Sequence, residues 1–300
     1  MKVLRFLLGC CLASAPVFAA TPSTGPVLRS GQAAMARSFE EKAADECWAG
    51  DTARAMQAYR DVLKQWHALD DIHGIIRCRT AIFSLLRDTG IPADQAEWLR
   101  QTREIWAAYQ ATSAAAGAKP DEESGRSQIL LNHSILVYAL ESRPADLPAA
   151  ADALREARSG VARLPATEQR RWEIAMRNLD GRIHIAQGDP AGAARILESP
   201  LPTYAELGED REAVRETAQS WYLAAQMIQE AGRWRESLAR YQAALEGFRA
   251  LGQTRWIQSC LEGMADVSRR GGQDSLAQQF QLRLEAQRLS LQPADSAAAK

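Results

Sequence analysis

Small and apolar residues recur along this chain in fixed columns rather than in strict alternation. Gly50, Gly90, Ala145, Gly188, Gly232 and Gly272 serve as reference points. Each separates two segments rich in helix formers, and all but Ala145 are glycine, the residue that ends helices in a left-handed turn. Five residues after each reference stand Ala55, Gln95, Ala150, Ala193, Ser237 and Ala277, mostly small. Nine after it stand Tyr59, Leu99, Leu154, Leu197, Tyr241 and Gln281, mostly large and apolar. Nineteen after it stand Leu69, Tyr109, Leu164, Leu207, Leu251 and Leu291, apolar throughout. Seven before it stand Ala43, Phe83, Tyr138, Gly181, Ala225 and Ala265. No run alternates apolar with polar residues under β-branched enrichment, so strands are not expected. An internal period of this length is the signature of stacked helical units.

The columns have a physical logic. A small residue seven before the turn lets the second helix of an antiparallel pair approach closely, and the small residue five after the turn answers it. The larger residue at plus nine lies one turn further on the same face and fills the space between pairs. Reference spacings are 40, 55, 43, 44 and 40 residues. The long interval holds 111–126, with Gly117, Lys119-Pro120, an Asp121-Glu122-Glu123 run and Gly125, and predicts a loop or hinge. The expected division is two helix pairs over 31–110, the hinge over 111–126, and four pairs over 127–291.

Some segments carry a resemblance to a known family. Trp221-Tyr222-Leu223-Ala224-Ala225 with Gly232, Ser237 and Tyr241-Gln242-Ala243-Ala244 resembles a tetratricopeptide repeat (TPR). So do Gly181 with Gly188, Ala193 and Leu197, and Ala43 with Gly50, Ala55 and Tyr59. The connectors Leu69-Asp70-Asp71, Leu207-Gly208-Glu209 and Leu251-Gly252-Gln253 are similar to those of the family's longer, roughly 40-residue variety. Phe83 and Tyr138 depart from the small-residue pattern, and the proline that often closes the shorter repeats is absent. HEAT-like repeats remain an alternative for the N-terminal block. The resemblance implies an all-α, right-handed α-solenoid of about six antiparallel pairs. It also implies that first helices line a concave face where peptides or partner helices bind.

Counting back from each reference puts candidate partner-binding side chains on that face: Arg77, Thr80, Ser84 and Arg87 in pair two, and Asn132 in pair three. Asn178 and Arg182 follow in pair four, Gln219, Tyr222, Gln226 and Gln229 in pair five, and Glu262, Asp266 and Arg269 in pair six. Amides both donate and accept, which suits recognition of a polypeptide backbone. The group Asn178, Arg182, Tyr222 and Gln226 spans adjacent repeats.

The ends change the picture of location. Lys2 and Arg5 precede the apolar stretch Phe6–Ala15, then Pro16-Val17-Phe18-Ala19-Ala20 and polar Thr21. That order reads as a signal peptide over 1–20, with cleavage near Ala19 or Ala20 and export to the periplasm. The apolar stretch is about half the ~20 residues a spanning helix needs, so no transmembrane span is expected. Leu7-Leu8-Gly9-Cys10 resembles a lipoprotein box, which makes a lipid anchor at Cys10 the rival reading. Residues 21–30 read as a flexible N-terminus and 292–300 as a disordered tail.

Charge and chemistry exclude more than they nominate. Thirty-six basic and 37 acidic residues are interleaved along the chain, so no footprint for nucleic acid appears. Cys47, Cys78 and Cys260 fit no zinc spacing and permit one disulfide at most. His67, Asp70, Asp71 and His73 cluster around an expected inter-helix turn and read as turn and cap chemistry. His133 and His184 lie within helical segments. Trp66, Trp98, Trp106, Trp172 and Trp256 fall at helical spacing and read as packing residues. No phosphate loop, nucleophile elbow or metalloprotease helix is present, and no cofactor or metal is implied. The expectation is a non-catalytic periplasmic scaffold mediating protein–protein interaction, an adaptor in an envelope or secretion complex. An outer-membrane lipoprotein assembly factor and a carbohydrate- or small-ligand-binding solenoid are the alternatives.

Overall fold

A computed structural model describes residues 26–48, 51–89, 92–142, 144–197 and 201–289. The expected signal segment 1–20, residues 21–25, the tail 292–300 and the references Gly50 and Gly90 lie outside the described residues, whereas 26–30, expected to be flexible, are helical. Among the described residues the chain is all-helical, with thirteen helices and no strand. In order these are α1 (Pro26–Trp48), α2 (Thr52–Leu69), α3 (Ile72–Thr89), α4 (Pro92–Ala115) and α5 (Glu122–Glu141). There follow α6 (Leu147–Val161), α7 (Ala166–Ala186), α8 (Pro190–Leu197) and the single-turn α9 (Tyr204–Leu207). The last four are α10 (Arg211–Glu230), α11 (Trp234–Ala250), α12 (Thr254–Arg270) and α13 (Asp274–Leu289). Helices pack chiefly against their neighbours in sequence, in pairs, and α3, α5, α7, α10 and α12 also touch one another in that order.

Amphipathic spacing explains the helices. In α12 the buried residues Ile257, Cys260, Leu261, Met264, Ala265, Val267 and Ser268 form one stripe at intervals of three and four. The columns become contacts. All six residues at plus five are buried, and at minus seven Ala43, Phe83, Gly181, Ala225 and Ala265 are buried. Where the two columns meet, the Ser237 hydroxyl donates to the Ala225 carbonyl at 2.7 Å. At Gly181 a Cβ would sit 2.8 Å from the Leu197 side chain, the plus-nine residue of the same pair, so any larger residue would force that side chain to move.

The turns repeat as closely as the core. Gly188, Gly232 and Gly272 have φ between 73° and 75°. Each donates its N–H into the last turn of the helix before it, to Ile185, Gln229 and Arg269. Left-handed backbone costs little only for glycine. The connector after α2 breaks the rule, because Asp70 takes φ 54° where Gly252 takes 68° after α11. Asp70→Gly is therefore expected to stabilise, by up to about 1 kcal/mol, because an L side chain is strained in this region. Thermal unfolding checks this: a midpoint higher by about 2 °C is expected, and a lower midpoint would show that the aspartate side chain stabilises the turn.

The structure narrows the expected hinge. Ala111–Ala115 continue α4 and Glu122–Arg126 open α5, leaving 116–121 as the connector. Gly117 ends α4 at φ 70°, and the Asp121 carboxylate caps α5 by accepting from Ser124 N at 2.9 Å. The acidic run that reads as loop is a helix start, where negative charge opposes the positive end of the helix dipole. A thin core of Ile76, Trp106 and Leu131 joins α3 and α4 to α5 across this connector. Polar bonds supplement it: His73 bonds Ser127 Oγ at 2.9 Å and Tyr109 OH at 3.2 Å.

Candidate partner-binding groove

Successive helices repeat one register, so equal offsets from the references stack into rows. Six before the turn stand Arg182 on α7, Gln226 on α10 and Asp266 on α12; ten before it stand Asn178, Tyr222 and Glu262. Beside these rows lies an open cavity of about 870 Å³. Leu140 of α5 and Arg182, Ile185 and Ala186 of α7 line one side, and Ser259, Glu262, Gly263, Asp266 and Arg270 of α12 line the other. Between them α10 contributes Tyr222, Leu223, Gln226, Met227, Gln229 and Glu230, and Tyr241 enters from α11.

A connected polar network shapes one wall. The Tyr241 hydroxyl donates to Gln229 Oε1 at 3.0 Å, and Gln229 Nε2 donates to Asp266 Oδ2 at 2.6 Å. Arg270 Nε lies 2.9 Å from the same carboxylate oxygen. Gln226 Nε2 donates to the Tyr222 hydroxyl at 3.3 Å, and the Tyr222 ring meets Tyr241 and Trp256 edge-on at 5.6 and 5.3 Å. Gly263 makes room for this arrangement, since a Cβ there would lie 2.5 Å from the Tyr241 ring. Burial raises the pKa of both phenols, so they stay neutral donors at physiological pH.

The opposite wall is less satisfied. Arg182 Nη2 stands 3.5 Å from Glu141 Oε1, at the outer limit of a hydrogen bond. Burial lowers the guanidinium pKa, with Glu141 opposing that shift. His133 on α5 is pushed down to about 4, first by burial; Glu216 opposes this, and Arg215, Arg182 and Arg87 add to it. It is therefore neutral at physiological pH.

Of the side chains expected on the binding face, Arg182, Tyr222, Gln226, Gln229, Glu262 and Asp266 come together in this groove. Others are placed elsewhere. Asn178 is buried between α7 and α10, where its Nδ2 donates to the Glu216 carbonyl at 2.9 Å and to Glu216 Oε2 at 3.1 Å. Its Oδ1 accepts from the Ser220 hydroxyl. Thr80 is buried and returns its hydroxyl to the Ile76 carbonyl. Arg77 is tied to Glu40 of α1 at 2.9 Å and to Glu123 of α5, above the Trp66 ring. Asn132 bonds the Gln128 carbonyl, and Ser84, exposed, bonds that of Thr80. Arg87 and Gln219 are half-buried outside the cavity, and Arg269 is exposed.

The aliphatic lining, Leu140, Ile185, Leu223 and Met227, was not singled out from the sequence, because a groove floor and a core share the same residue types. Around the α2–α3 turn, Asp71 is the cap, accepting from Gly74 N at 2.9 Å. Among the described residues Cys78 and Cys260 are free thiols, both buried. No described helix is long and apolar enough to cross a membrane.

No protein-family model matches this chain. No curated protein matches it either. Among solved structures, the crystal structure of BtubC (BKLC) from P. vanneervenii, a helical protein, is similar in fold at 12% sequence identity and a TM-score of 0.53. The match covers 82% of this chain and 91% of that one. At this identity the likeness concerns the fold alone.

Proposed function

We propose that this chain is a non-catalytic scaffold of the tetratricopeptide type. In this reading it is a right-handed solenoid of about six antiparallel helix pairs, whose first helices form a concave face that binds a protein partner. The observation that carries the reading is the groove, where side chains at equal offsets on α7, α10 and α12 line about 870 Å³ of open volume. Its mixture of amides, tyrosines, aliphatics and charges of both signs suits a polypeptide, which presents donors, acceptors and apolar side chains together. The repeated turns, and small residues buried at plus five and minus seven, support the repeat type. The basic–apolar–small order over 1–20 supports export, and we place the mature protein in the periplasm as an adaptor in an envelope or secretion complex.

The test is affinity capture from an envelope fraction with the mature chain beside an Arg182→Ala, Tyr222→Ala, Gln226→Ala variant. A partner retained by the first and reduced at least about tenfold by the second, a loss near 1.4 kcal/mol, is the expected result. Equal capture by both rejects the groove as the binding site. Capture of nothing specific rejects the scaffold reading.

A further inference from the structure

Resting on the scaffold reading, we infer that the groove accepts a segment of defined charge order. An acidic side chain pairs with Arg182, an aliphatic one follows into the cavity floor, and the far end is neutral or basic. The row six before the turns runs from cation through amide to anion, Arg182, Gln226 and Asp266, across three successive helices. Such a row imposes one order of charges on whatever lies along it.

The two ends differ in what they lack. A guanidinium carries five N–H donors, and among the described residues the carboxylate paired with that of Arg182 is Glu141, at 3.5 Å and itself well exposed. The Arg182 side chain is only 30% exposed, so water cannot fully replace the missing acceptors. A partner carboxylate would supply a charge-assisted bond there. At the α12 end the need is reversed. Asp266 is already held by Gln229 and Arg270, and Glu262 by Arg288 at 2.6 Å. Glu230 is exposed and makes no ion pair among the described residues. Three acids and one arginine face the groove at that end, which repels a second partner anion and tolerates a cation.

Beside Arg182 the surface is aliphatic. Ile185, Leu223 and Met227 form one small cluster with Ala193, Leu197 and Ala224, and Leu140 joins it from α5 as groove lining. An aliphatic side chain next to the partner's acid would cover this floor and dry the Arg182 contact. Gln226, midway along the row, has amide capacity left for the partner's backbone.

The probes are fluorescent synthetic peptides read by anisotropy against the mature chain. One has an acidic start, an aliphatic middle and a basic end. Three controls have both ends basic, both ends acidic, or serine in place of the aliphatic residues. The first is expected to bind at least about tenfold more tightly than each control. Arg182→Glu is expected to remove that preference and favour the peptide with two basic ends; circular dichroism checks that the variant is folded with the new carboxylate beside Glu141. Equal binding of all four peptides, or preference for two basic ends by the unaltered protein, overturns the inference. So does failure of every peptide to bind while envelope capture still retains a partner, an outcome that leaves the scaffold reading standing. Failure of peptides and capture alike removes both.

Discussion

Gly160→Val is expected to lower the thermal unfolding midpoint by about 6–12 °C, corresponding to roughly 3 kcal/mol in a chain of this size. The reason is the approach of α5 to α6. A Cβ on Gly160 would stand 2.8 Å from the Gly125 carbonyl oxygen and 2.9 Å from Ile129 Cγ1. A Cβ on Gly125 would in turn stand 2.9 Å from the Gly160 carbonyl oxygen. A side chain in the way can rotate, but a helix carbonyl cannot. The two helices must separate, opening the layer of Ile129, Ala150, Ala153, Leu154 and Ala157 that they bury together. Overpacking of this kind costs typically 1–3 kcal/mol and occasionally more, against about 0.5 kcal/mol regained by removing a helix glycine. A midpoint within about 2 °C of the unaltered protein, less than 1 kcal/mol, would mean that the helices are not in this contact.

Asn178→Leu is expected to destabilise the fold by about 2–4 kcal/mol while leaving partner capture by the folded protein intact. Leucine keeps the number and branching of the heavy atoms, so the effect combines the lost hydrogen bonds with some overpacking by its methyl groups. The Ser220 hydroxyl, fully buried, loses its acceptor, and the Glu216 carboxylate, 6% exposed, loses one of its donors. Arg215 remains 3.0 Å from Glu216, which keeps the acid from being orphaned and holds the cost within this range. The groove variant at Arg182, Tyr222 and Gln226 should lose capture while still folded, with a midpoint lowered by the loss of the Tyr222 ring from Tyr241 and Trp256. Denaturant unfolding and affinity capture on both proteins decide the matter. An Asn178→Leu protein of normal stability that no longer captures its partner would return Asn178 to the binding face.

These two residues show how the sequence and the tertiary structure divided the information. The helix pairs were legible in the sequence because close packing of two helices imposes a composition at fixed offsets. Ala55, Ala150, Ala193, Ser237 and Ala277 are small for one steric reason, and all are buried. Gly188, Gly232 and Gly272 could be read as turns because a left-handed residue favours glycine. Asp70 could not, since a left-handed aspartate looks like any cap residue. The polar half of the groove was legible for a related reason: a constant register puts Arg182, Gln226 and Asp266 in one row whatever the path of the helices.

Burial of each polar residue was decided only in three dimensions. Asn178 and Arg182 lie four residues apart on one face of α7, yet α10 covers the first and leaves the second at the cavity edge. The connector 116–121 was blurred in the sequence because acids such as Glu122 and Glu123 suit a helix start as well as a loop. Gly125 reads as flexible until Gly160 is found against it. Offsets along one chain state which side of a helix a residue occupies; only the neighbouring helix determines how much of that side water still reaches.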